Sequence, residues 1–163
     1  MNTTRNLLAA VRESACTGES IPEETLRDIP RRMEARLSFR DAALATLLFD
    51  MSLDFACAMV ADSEGTSGEL GDIMTKAWNE GVPPAVVERL ENTRNLLDAM
   101  AAVTVSDAQP AATHAYILWW LGFGDDALRL ADAALGRDPR NMLARLVRAS
   151  VSTGRYPDYL EAE

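Results

Sequence analysis

The chain has 163 residues, about half of them apolar, with 25 acidic against 16 basic side chains and a net charge of −9. That length suits one domain with a real core, and the mixture of charged and apolar residues excludes wholesale disorder. The acidic balance, with most arginines interleaved by carboxylates, argues against nucleic acid or an anionic membrane as partner, since phosphate binding needs clustered cations.

No apolar run approaches the ~18 residues of a membrane-spanning helix, and the N-terminal stretch does not read as a signal peptide. The expected location is therefore the cytoplasm. In that reducing compartment Cys16 and Cys57, which share no motif spacing, are expected to be buried free thiols. The 26 alanines, few β-branched residues and no sustained period-2 alternation predict an all-α fold of about seven to eight helices in a single domain, residues 1–163.

Residues 4–16 carry the stripe Leu7, Leu8, Val11 and Ala15, and Gly18 ends that helix. Ser20-Ile21-Pro22-Glu23 reads as a capping-box start, and Pro30 is expected to end or kink the helix that follows. A buried apolar segment spans 39–60, with a possible break at Asp50-Met51-Ser52. Residues 62–72, with three glycines and little apolar content, read as a flexible loop. Their acids do not fit a calcium loop: counted from Asp62, Ser67 stands where Gly is required and Ile73 where Glu is. A short helix over 69–80 stops at Gly81. Pro83-Pro84 opens another over 84–103, and 104–109 is a connector. The arginines Arg27, Arg31, Arg32, Arg36 and Arg40 read as a solvated face paired to Glu23, Glu24, Asp28 and Glu34.

Spacing is most specific over 108–154. One helix runs from Pro110 to Leu121, and Gly122-Phe123-Gly124 makes a tight turn. Asp125 or Asp126 caps a second helix to about Gly136, and a third runs from Asp138-Pro139 to Thr153-Gly154. With Pro139 at the repeat's proline, Gly122, Ala115, Ala127 and Ala134 fall where small residues let helix axes approach, so this hairpin and its following helix resemble a tetratricopeptide repeat. Ala111, His114 and Ala131 depart from that pattern. One unit and a fragment do not make a solenoid, so upstream helices must supply the remaining packing surface.

The run Trp120-Leu121-Gly122-Phe123-Gly124-Asp125-Asp126-Ala127, with Ala134-Leu135, Asp138-Pro139, Leu143-Ala144-Arg145-Leu146 and the pair Arg40-Asp41, also resembles the C-terminal half of an uncharacterised actinobacterial protein family. The resemblance covers roughly 20–157. It implies a helical fold but no activity, and the α/β half common in that family is absent here.

Chemistry finds few parts. His114 is the only histidine and is expected in the packed interior of the hairpin as a hydrogen-bonded core residue. Three Cys and His residues, widely separated, do not make a zinc site, and no phosphate-binding glycine motif is present. No cofactor or metal is implied. The best carboxylate pair is Asp50 and Asp54, one helical turn apart, which supports an alternative reading as an enzyme with a carboxylate site in a helical pocket. The leading expectation is a non-catalytic protein-interaction module. It would bind a protein partner or a second copy through one face of the Pro110–Leu121 helix: Tyr116, Trp119 and Trp120 share helical spacing, and the tetratricopeptide resemblance adds Gln109 and Ala112 to that face. An acidic face meeting a basic partner is a third possibility.

Overall fold

A computed structural model describes residues 3–161, and the regular structure in that span is entirely helical. It comprises α1 (Thr4–Thr17), α2 (Glu23–Ala35), α3 (Leu37–Phe49), α4 (Leu53–Ala61), α5 (Ser63–Glu80), α6 (Pro84–Glu88), α7 (Leu90–Val103), α8 (Gln109–Trp120), α9 (Gly124–Arg137) and α10 (Met142–Ser152). A 3-10 turn, Asp158–Leu160, follows. Among the described residues the all-α array thus has ten α-helices.

Helix α8 is the axis of the array. It packs on α9, α10 and α7, and also on α3 and α2. All twelve of its residues are buried, a pattern possible only for a helix enclosed on every face. Around it the second layer is built from α1, which lies on α7, α3 and α4, and from α5, which follows α4 and receives the C-terminal 3-10 turn. One continuous apolar core runs through both layers, from Leu7, Leu8 and Val11 to Ala144 and Val147.

Several helix ends follow directly from the sequence. Thr3 accepts the Asn6 amide at the start of α1, and Gly18, at φ +75°, closes it. The break at Asp50–Ser52 is present: Asp50 takes a left-handed conformation and the Ser52 hydroxyl accepts the Phe55 amide to start α4. The turn after α8 is a Schellman motif. The Gly122 amide donates to the Trp119 carbonyl and the Phe123 amide to the Leu118 carbonyl, with Gly122 at φ +85°. The same pair of bonds recurs at Gly154, where Gly154 donates to Val151 and Arg155 to Ser150.

Other expectations are corrected. Residues 63–72 are not a loop but the first half of α5. Asp62 accepts the Gly65 amide at the N-terminus, and Ile73, Met74, Ala77 and Trp78 anchor the second half, so the helix propagates back through its glycines. Pro30 does not end α2: it lies buried within a helix that continues to Ala35. The capping box at Ser20 does not form, because Pro22 occupies the cap position of α2 without a side-chain bond. Phe123, not Asp125 or Asp126, precedes α9, and both aspartates sit in its first turn, where they favour the positive end of the helix dipole. The expected helix over 84–103 is divided at Arg89, whose side chain reaches back to Asp50 and Cys16. Both cysteines are free, but neither is buried: Cys16 is exposed and Cys57 half-buried.

Candidate functional site

The five residues expected to form a binding face lie on α8, and the structure buries all of them. Gln109, Ala112, Tyr116, Trp119 and Trp120 expose at most 7% of their surface. An open aromatic face on α8 is therefore corrected to an aromatic cluster in the core. Trp120 meets Phe49 edge-on at 5.2 Å and Trp78 at 5.4 Å, and Tyr116 meets Trp119 at 5.5 Å. The covering comes from the chain itself. The Trp119 indole N–H donates to the Arg155 carbonyl at 2.7 Å, and the Tyr159 hydroxyl to the Trp120 carbonyl at 2.5 Å, so the segment after α10 is fastened over the rings. Only the edges of Tyr116 and Trp120 reach a shallow depression of about 250 Å³, shared with Met74, Thr75 and Trp78 of α5. Burial raises the pKa of the Tyr116 hydroxyl, holding it protonated. At the other end of α8, the Gln109 amide donates to Glu34 at 3.0 Å.

The candidate acid–base groups are dispersed. His114 is buried, with Nδ1 3.5 Å from Asp98 and Nε2 lacking any hydrogen-bond partner. Desolvation drives its pKa down to about 4, against a smaller upward pull from Asp98, so the imidazole is neutral at pH 7. Asp50 and Asp54 do not form a pair. Asp50 is held by Arg89 at 2.8 Å with Arg12 at 3.9 Å, whereas Asp54 has 85% of its side chain exposed and bonds Arg5. Of the arginines of α2 and α3, Arg27 and Arg31 pair with acids of α2 as expected, Arg31 meeting Asp28 at 4.0 Å. Arg27 pairs with Glu23, Arg36 donates to the Val60 carbonyl, and Arg40 grips its neighbour Asp41. Among the described residues no group of three or more His, Cys, Asp or Glu side chains could hold a metal ion. None of these helices is long and apolar enough to cross a membrane.

Among the described residues the exposed large apolar side chains are Leu37, Val87, Val105, Phe123, Met142 and Leu146, and the last two share the outer face of α10, which sequence reasoning did not single out. Its buried side, Leu143, Ala144, Val147 and Ser150, packs inward, and Asn141 caps its start by accepting the Ala144 amide. Outward it presents Met142, 68% exposed, and Leu146, 48% exposed, with Ala149 on the same side one turn further. Beside this stripe a cleft of about 510 Å³ between α9 and α10 is lined by Leu135, Pro139, Arg145, Arg148, Ala149 and Ser152. The available signal was arginine density: residues 137–155 hold five arginines and one aspartate in an otherwise acidic chain.

The two Schellman turns give a register of 32 residues between α8 and α10. In it, Met142 corresponds to Pro110 and Leu146 to His114, both buried in α8. The face is open in α10 because the chain beyond it turns away through Pro157 to the 3-10 turn on α5. No protein-family model, curated protein or solved structure matches this chain.

Proposed function

We propose that the protein is a non-catalytic interaction module, and that a helix of a protein partner docks against the outer face of α10. The observation that carries this reading is the uncovered stripe of Met142, Leu146 and Ala149 beside the α9–α10 cleft, at positions that are enclosed one register earlier in α8. An amphipathic helix seated there would enclose α10 as the neighbouring helices enclose α8, in the helix-in-groove mode of recognition. The tetratricopeptide-like reading of residues 108–154 is consistent with this mode, with the terminal helix rather than an aromatic groove as the docking element. The separation of Asp50 from Asp54 supports the non-catalytic reading over a carboxylate enzyme.

A photo-crosslinking residue at position 146, compared with one at the equally exposed Val87 on α6, tests the proposal in the native host. The expected outcome is a discrete adduct at 146 that is absent at 87 and lost when Met142→Glu is added. Identical adducts from both positions, or none from 146, would refute it.

A further inference from the structure

We infer that the α10 face takes an acidic amphipathic helix belonging to a different protein, rather than a second copy of this chain. This rests on the α10 docking reading and adds the chemistry of the partner.

The argument begins with charge. The chain carries −9 overall, yet residues 137–155 hold Arg137, Arg140, Arg145, Arg148 and Arg155 with Asp138 as their only acid in sequence, and Arg145 and Arg148 line the α9–α10 cleft. Across the cleft, Asp132 of α9 engages Arg148 at 3.6 Å, with both side chains more than half exposed. Arg145 has no carboxylate partner among the described residues and lies 3.9 Å from the Met142 sulfur. Arg137 donates to the Asp107 carbonyl. The cleft side of α10 therefore holds Arg145 without a carboxylate partner and Arg148 in an exposed pair with Asp132, directly beside exposed apolar side chains.

Spacing then selects the shape of the occupant. Met142, Leu146 and Ala149 follow the i, i+4, i+7 rhythm of one helical stripe, and Arg145 and Arg148 flank it on the cleft side. An eleven-residue helix is about 16 Å long, which matches roughly three turns of an antiparallel partner. Apolar residues of that partner would cover Met142, Leu146 and the walls of the cleft, with Glu or Asp on its flank against the guanidinium groups.

A second copy fits this face poorly. An isologous dimer through α10 would set Arg145 and Arg148 of one copy against those of the other. Nucleic acid fits poorly too: a phosphate backbone offers nothing to bury Met142 and Leu146, and the remainder of the chain repels it.

Fluorescence anisotropy with the whole chain tests this. The probes are two stapled helices of about 15 residues sharing one leucine stripe, flanked by Glu in one and by Lys in the other, and a labelled DNA duplex. The Glu helix is expected to bind and to weaken about tenfold or more between about 50 and 300 mM salt. Arg145→Glu with Arg148→Glu should weaken it at least about tenfold, and Leu146→Glu should abolish binding. Thermal unfolding confirms that each variant folds, and Leu146→Gln serves if Leu146→Glu does not. Equal or tighter binding of the Lys helix would overturn the acidic partner and leave the docking face standing. Failure of both helices would overturn both. Tighter binding of the duplex, or a dimer in light scattering that Leu146→Glu dissolves, would replace the partner with nucleic acid or a second copy.

Discussion

His114 makes the stability of this fold depend on mild acid. Its folded pKa is about 4, lowered from 6.5 chiefly by desolvation. The unfolded chain therefore takes up the proton first. The stabilising effect of a neutral imidazole is fully present above about pH 6.5, declines as pH falls, and is exhausted below about pH 4. Linkage puts the loss between about pH 7 and pH 5 at about 2 kcal/mol, and the total near 3 kcal/mol. Asp98 offsets little, because its side chain is 66% exposed and its charge is solvent-screened. Urea unfolding of the wild type and of His114→Gln at the two pH values isolates the effect. Carboxylates that titrate in the same range contribute equally to both proteins and cancel. The wild type should lose about 2 kcal/mol more than the variant on going to about pH 5. Equal losses would refute the assignment of a desolvated, neutral His114.

Further outcomes follow from the helix ends and the core. Gly68→Ala and Gly71→Ala should each stabilise the protein by about 1 kcal/mol, since both lie within α5 with open space where a Cβ would stand; denaturant midpoints check this. Gly122→Ala should instead destabilise by about 1 kcal/mol or more, because its φ of +85° is the left-handed position of the Schellman turn. Trp120→Ala should lower stability by about 3–5 kcal/mol, as the ring is 1% exposed and touches Phe49 and Trp78; calorimetry reads this as a large fall in Tm. In a thiol titration of the folded protein, exposed Cys16 should react before half-buried Cys57, and simultaneous reaction only on unfolding would contradict the structure.

How much was legible depended on whether the deciding term was local. The turn at Gly122, the break at Asp50–Ser52 and the end of α1 at Gly18 follow from residue types that satisfy helix-end groups within a few positions, and all three are present. The glycines of 65–71 are equally local, but their cost was outweighed by contacts further along: α5 is capped at Asp62 and held by Trp78 and Ala77, about two to three turns beyond. Pro30 shows the same override, since α2 carries Ile29 and Met33 into the core on either side of the proline and runs through it. The aromatic spacing on α8 correctly placed Tyr116, Trp119 and Trp120 together. Spacing says which side chains share a face, not what lies opposite. Trp78 and Phe49 come from elements far away in sequence, and the cover over Trp119 comes from Arg155.

That distinction also bears on the proposed docking face. Helices α8 and α10 end in the same pair of bonds at the same register, yet one is enclosed all round and the other on one side only. The difference lies in the neighbours: α7 and α9 flank α8, whereas the chain after α10 leaves for α5. Met142 and Leu146 thus occupy positions whose counterparts in α8 a further layer of helix encloses, and they remain exposed where that layer is missing. Isolated apolar residues at a surface are ordinary. Two of them in helical register, beside a cleft walled by Leu135 and Pro139 and edged by Arg145 and Arg148 in a chain of net charge −9, are the features on which the proposed docking of an acidic helix rests.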